Sequence, residues 1–284
     1  MSRATESRIV PMSLRGGAGA LAGWECAPPP GVATRGTAVL VPGFTGSKED
    51  FAGLLPILAD AGFRCVAYDQ RGQFESEGSE DRDDYTIETF SADLIGVVES
   101  LGAPVHLVGH SFGGYVARTA VVARPDLFST FTLLASGPSS LQDIAFPPPA
   151  QVEQLIEAGG QDVVWQMLAG AGATEVLDQA KREFLHRRIF ATRKANLVGI
   201  VRTMQTRPPA PAVVRAAGVP ILVGYGDTGD LWAPEVHERF AAELGARVAV
   251  YRGVGHLPNE ERPDQVRDDL VVFWTDGDAR ASVL

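Results

Sequence analysis

The chain has 284 residues, with 25 basic against 35 acidic side chains and a formal net charge of −10. That balance, without any Lys/Arg block, argues against nucleic acid and anionic membranes as partners. Its length suits one large α/β domain or two small ones, and its apolar content is that of an ordinary globular core.

The polar start, Met1 to Arg8, has no apolar signal core, and no apolar run is long enough to span a bilayer. A soluble, cytoplasmic protein acting on a small molecule is the expectation. Cys26 and Cys65 lie in strand-like runs without metal spacing or a disulfide framework, so both are expected as buried free thiols, with no metal and no cofactor.

Ile9–Leu14 and Ala20–Cys26 read as two strands of a hairpin joined through Arg15-Gly16-Gly17-Ala18-Gly19. Gly17 to Ala22 also matches a loose dinucleotide fingerprint, but no helical pattern and no ribose-binding acid follow it, so that reading is rejected. Thr37–Val41 is a wholly apolar strand of the kind buried in parallel sheets, ending at Pro42-Gly43-Phe44-Thr45-Gly46. Ser47 to Asp50 has the form of a capping box, and Phe51, Leu54, Leu55 and Leu58 then share a helical face. A strand at Arg64–Tyr68 leads into Asp69-Gln70-Arg71-Gly72-Gln73. The acidic run Glu75–Asp84 reads as a solvated surface loop.

A helix from about Thr86 to Leu101 precedes the apolar strand Pro104–Leu107, and a further strand lies at Phe131–Ala135. Strand and helix alternate up to here, which predicts a mostly parallel sheet covered on both faces. From Ser136 to about Val213 the alternation gives way to helical patterns, opened by Pro147-Pro148-Pro149 and closed by Pro208 to Pro211. This block is expected to be a helical lid inserted at residues 137–212 into a core formed by 1–136 and 213–284. The strands at Pro220–Tyr225 and Arg247–Tyr251 and the helices at Glu235–Leu244 and around Val266–Trp274 restore the alternation.

Between the strand at Pro104–Leu107 and the helix at Tyr115–Ala123 lies Gly109-His110-Ser111-Phe112-Gly113. A serine on so tight a strand-to-helix turn needs small neighbours, and the turn lifts its hydroxyl out at the carboxyl edge of the sheet. Ser111 is the candidate nucleophile. It needs a base, a group to orient that base, and donors for a developing oxyanion. Of five histidines, His106 and His110 are held in the nucleophile strand and turn, and His186 and His237 fall on helical stretches expected at the surface. His256, in Gly253-Val254-Gly255-His256-Leu257-Pro258, follows the last strand, at the sheet edge where catalytic groups converge. In the chain order Ser, acid, His, the run Gly226 to Pro234 offers both Asp227 and Asp230.

With Pro42-Gly43-Phe44, Asp69-Gln70-Arg71-Gly72, the serine turn, Gly226 to Pro234 and Gly255-His256-Leu257-Pro258 in this order, nearly the whole chain resembles the α/β-hydrolase fold superfamily, in its lidded esterase-like and C–C-hydrolase-like branch. The resemblance implies an eight-stranded, mostly parallel α/β sheet. It also implies Ser111 as nucleophile, His256 as general base and then acid, and an oxyanion hole of the Phe44 and Phe112 backbone N–H groups. The family usually sets its acid three residues after the glycine, where this chain has Gly229. Asp230, one residue later, keeps the spacing to Pro234 and is the expected acid, with Asp227 and Asp143 as the other options. A further departure is Pro42-Gly43 where the family often has His-Gly. Serine as nucleophile argues against the dehalogenase and epoxide-hydrolase branches, to which the resemblance assigns a carboxylate.

The expected activity is therefore hydrolysis of a small-to-medium, mainly apolar ester, with Trp165, Met167 and Phe190 of the lid as candidates for an apolar pocket roof. C–C bond hydrolysis, thioester hydrolysis, acyl transfer and perhydrolysis share the same machinery. A ligand-binding member of the fold is the alternative outside enzymes.

Overall fold

A computed structural model describes residues 8–138, 148–170 and 177–281. Eight strands form one sheet: β1 (Val10–Gly16), β2 (Gly19–Cys26), β3 (Gly36–Val41), β4 (Phe63–Tyr68), β5 (Val105–His110), β6 (Phe128–Leu134), β7 (Ile221–Gly226) and β8 (Arg247–Tyr251). Their spatial order is β1-β2-β4-β3-β5-β6-β7-β8. The first hairpin is antiparallel to β4, and every later pairing is parallel. The helices are α1 (Leu54–Asp60), α2 (Ile87–Leu101), α3 (Phe112–Ala123), α4 (Pro149–Gly170), α5 (Gln179–Ala191), α6 (Lys194–Thr203), α7 (Pro211–Ala216), α8 (Pro234–Leu244), α9 (Pro258–Glu261) and α10 (Pro263–Ala281). Among the described residues, no helix is long and apolar enough to cross a membrane.

The two-residue period of the strands divides the core. Val39, Val41, Leu107, Phe131, Leu133 and Val223 face α2, α3 and α8, whereas Ala38, Leu40, Val108, Leu134 and Leu222 face α1 and α10. Because both faces are covered, the central strands are apolar throughout, which is why their sequence shows runs rather than alternation. Cys26 and Cys65 sit opposite each other on β2 and β4 as buried free thiols. Gly17, in the rejected nucleotide fingerprint, lies in the β1–β2 turn and donates its amide to Asp93 Oδ1 at 2.6 Å.

The helices α4 to α6 do not stand apart from this core. Val152, Ile156, Val164, Ile189, Leu197 and Ile200 are buried in the same cluster as α2 and α3. The loop after β4 forms much of their seat. Arg193 N–H donates to Gly72 O at 2.9 Å, Asn196 Nδ2 to Arg71 O at 2.8 Å, and Thr203 Oγ1 to Tyr85 O at 3.0 Å. The acidic run itself joins in, through the Glu80–Arg193, Asp83–Arg202 and Glu157–Arg82 ion pairs. The run is largely solvent-exposed, as expected of a surface loop, and two of its carboxylates also answer arginines more than a hundred residues away. Both ends of the segment converge on Arg118 of α3, a buried guanidinium that donates to the carbonyls of Gly137, Pro138 and Pro209. Burial pushes Arg118 down to about 10.

Candidate active site

Ser111 stands between β5 and α3 with φ 51° and ψ −118°, a region costly to a residue bearing a Cβ. Two features hold it there. Its amide donates to Leu134 O at 2.9 Å, and the turn has no room for side chains: a Cβ on Gly113 would stand 2.3 Å from Val41 O, and one on Gly109 2.6 Å from Gly113 O. The serine is thereby presented, partly exposed, at the N-terminus of α3.

The candidate base comes from the loop after β8. His256 Nε2 lies 2.9 Å from Ser111 Oγ, and His256 Nδ1 lies 2.6 Å from Asp230 Oδ1. An ionised carboxylate only accepts, so the imidazole carries its proton on Nδ1 and offers the Nε2 lone pair to the serine hydroxyl. The neighbouring His110 fixes the loop itself, its Nε2–H donating to the His256 carbonyl at 2.8 Å. Burial first, and the proximity of His256 second, push His110 down to about 4, so it stays a neutral strut.

Asp230 is almost completely enclosed, with its side chain 1% exposed. Burial alone would raise its carboxyl. Hydrogen bonds from His237 and from His256 outweigh that and hold it well below the usual carboxylate range. The loop's shape explains why the candidate acid lies one residue later than the family pattern. Asp227 leaves β7 and is spent on the neighbouring turn, where its Oδ1 accepts the Gly253 amide at 2.6 Å. Gly229 then adopts φ 69°, the left-handed region that glycine enters without strain, and the next residue, Asp230, turns inward. Asp143 lies outside the described residues.

On the other side of Ser111, the Pro42–Gly46 loop approaches so closely that a Cβ on Gly43 would stand 3.0 Å from the serine Cβ. Phe44 follows Gly43 in this loop, and Phe112 begins α3 directly after Ser111, so the two residues expected to supply oxyanion amides belong to the segments on either side of the serine. Gln70 and Gln73 secure the loop by donating to Pro42 O at 3.0 Å and Gly43 O at 2.9 Å.

Two expectations need revision. His237, expected at the surface, is fully buried and lies 3.0 Å by Nε2 from Asp230 Oδ2. The signal was present: His237, Phe240, Ala241 and Leu244 recur at helical spacing and form the buried face of α8. Trp165 and Phe190 both pack on His186, and Trp165 lines an open pocket of about 450 Å³ with Gln179, Arg182, Glu183 and His186, to which neither Ser111 nor His256 belongs. Met167 packs half-buried against the main core.

Residues 38–269 match the model of the alpha/beta hydrolase family. The chain is also 30% identical over 255 residues, 83% of this chain and 90% of the relative, to the rice (Oryza sativa subsp. japonica) protein named Probable esterase D14L. The chain belongs to the alpha/beta hydrolase family. Within that family it is also similar to the uncharacterized hydrolase YugF of Bacillus subtilis, at 26% identity over 84% of this chain and 90% of that protein. Among solved structures it resembles a thermophilic esterase from Thermogutta terrifontis, with a TM-score of 0.76 and 21% identity, covering 95% of this chain and 98% of the other. At that identity the likeness speaks for the fold.

Proposed function

We propose that this alpha/beta hydrolase is a serine hydrolase, cleaving a small-to-medium, mainly apolar ester through an acyl-enzyme. The observation that carries the reading is the continuous hydrogen-bonded line from Ser111 Oγ through His256 to Asp230, set on a strained strand-to-helix turn. In the first half-reaction His256 Nε2 takes the Ser111 proton as the oxygen attacks the ester carbonyl, and Asp230 steadies the imidazolium. The Phe44 and Phe112 N–H groups stabilise the tetrahedral oxyanion, and His256 returns the proton to the leaving alcohol. A water, deprotonated by His256, then attacks the acyl carbonyl and frees Ser111. Residues 137–212 serve as the lid, and the seating of its described helix α6 on the 69–85 loop limits the water and substrate that reach the serine. The name of the rice relative fits this chemistry.

The test is turnover of short-chain p-nitrophenyl esters, with fluorophosphonate labelling alongside, by wild type and Ser111→Ala. Labelling and turnover that both disappear in the variant support the reading. A well-folded wild type that neither labels nor turns over any ester favours the ligand-binding alternative and overturns it.

A further inference from the structure

The acid of the site is held by a second histidine, outside the three residues of the proposed triad. Asp230 Oδ1 accepts from His256 Nδ1 and from the Leu231 amide, both at 2.6 Å, while Oδ2 faces away from them towards His237 Nε2 at 3.0 Å. His237 is 0% exposed. Its ring lies flat on Tyr225, with centroids 4.6 Å apart and planes 7° from parallel, and meets the Trp232 ring at 74°. Tyr225 belongs to β7 and His237 to α8, so the two elements flanking the acid loop fix the orientation of this imidazole together.

The protonation state follows from the partners. Asp230 is acceptor-only when ionised, so the nitrogen facing it carries the proton. The other nitrogen, His237 Nδ1, is buried with no hydrogen-bond partner. A proton there would be a buried donor without an acceptor, whereas a bare lone pair costs less. The neutral Nε2–H tautomer is the form that suits both ends.

We propose that His237 is a positioning residue for catalysis: it clamps the second oxygen of Asp230, so that the carboxylate presents Oδ1 to His256 in one fixed rotation. Without a donor on Oδ2, only the two hydrogen bonds on Oδ1 resist rotation of the carboxylate, and a buried anionic oxygen is left unsatisfied. The inference rests on the hydrolase reading above, because it needs Asp230 to orient His256.

His237→Phe keeps a flat ring on Tyr225 but removes the donor, while His237→Gln offers an amide N–H near the position of Nε2. With p-nitrophenyl acetate, His237→Phe lowers kcat by roughly 10- to 100-fold, the worth of a hydrogen bond to a charged group, and leaves KM within about twofold. His237→Gln recovers most of the lost kcat. Equal kcat in His237→Phe and wild type overturns the proposal, as does an equal loss in both variants, which marks a packing role. Nitrogen-15 NMR of the histidines in unaltered protein is independent of variant folding. A neutral His237 protonated at Nε2 supports the proposal; an Nδ1–H or doubly protonated ring overturns it. Fluorophosphonate labelling separates the two levels. A wild type without Ser111-dependent labelling overturns the hydrolase reading and this proposal with it. A wild type that labels, beside a His237→Phe variant labelling equally fast, overturns the His237 role alone.

Discussion

The guanidinium of Arg188 on α5 donates to the carboxylate of Asp50, and both side chains are buried, at 10% and 6% exposure. Asp50 closes the 3-10 turn Lys48–Phe51 that directly follows the Pro42–Gly46 loop, and its other oxygen accepts the Ser47 amide. Arg188 also reaches Ser47 Oγ at 3.2 Å, and Asn259 of α9 donates to the Asp50 carbonyl at 2.8 Å. One buried ion pair thus joins the helical segment to the loop that carries Phe44 and to the helix after His256.

Breaking that pair from one side strands a buried charge. Arg188→Met is expected to destabilise the protein by about 3 kcal/mol or more, read from the midpoint of chemical denaturation. Adding Asp50→Asn to Arg188→Met should recover part of that loss, because the uncompensated carboxylate is gone. If the two losses simply add, the side chains act independently and the joint has no energetic coupling.

The acid assignment separates two aspartates three residues apart. Asp230→Asn presents an amide donor as well as an acceptor to His256, which favours the wrong imidazole tautomer, and should lower kcat by roughly 10³- to 10⁴-fold with little change in folding. Asp227→Asn weakens the bond to the Gly253 amide and should leave kcat within about threefold, since this side chain supports a turn and does not face His256. Steady-state ester hydrolysis by the two purified variants decides between them. A larger loss in Asp227→Asn would transfer the acid role.

How far such distinctions could be read in advance depended on whether their causes were local. The apolar run Thr37–Val41 and the glycines around Ser111 announce a buried strand and a sharp turn, because neighbours within a few residues set both. The choice between Asp227 and Asp230 turns instead on the left-handed conformation of Gly229 and on the capture of Asp227 by the β8 loop, neither visible in spacing. Arg188 lies on a helix with no clear apolar face, and its partner is 138 residues away. His237 was legible by periodicity, yet a histidine in an apolar stripe gives no hint of the carboxylate it will meet.

Stability should also fall in mild acid, and His106 gives the sign. Burial, aided by Arg35, pushes it down to about 4 from an ordinary value of 6.5. Between those values the unfolded chain binds a proton that the fold refuses. The contribution is therefore present above about pH 6.5 and is lost as pH falls towards 4, amounting to about 3 kcal/mol. The buried ring stacks on Trp274 and shares a 3.0 Å hydrogen bond with Thr130 Oγ1. His106→Phe combined with Thr130→Val keeps the stack and removes both polar partners. Unfolding free energy against pH from 7 to 4 should be shallower in the double variant, and an unchanged slope would assign the acid sensitivity elsewhere, with His110 first in line.

Two glycines beside Ser111 should respond differently to one added methyl group. At Gly113 the new carbon would lie 2.3 Å from Val41 O and 2.8 Å from Pro42 O, both backbone atoms of the central sheet and its loop. Neither can move without opening the β3–β5 pairing, so Gly113→Ala should cost more than about 3 kcal/mol or prevent folding. At Gly43 the nearest atoms are the Ser111 Cβ at 3.0 Å and His110 Nδ1 at 3.3 Å, and a shift of a few tenths of an ångström relieves both. That shift moves the loop that carries Phe44 relative to Ser111. Gly43→Ala should therefore fold with a loss of about 1 kcal/mol yet lower kcat by roughly tenfold or more, since a donor moved off the developing oxyanion stabilises it less. Thermal melts and ester kinetics on the two variants test the contrast. A Gly43→Ala protein with wild-type kcat would show that this loop does not serve the reacting oxygen.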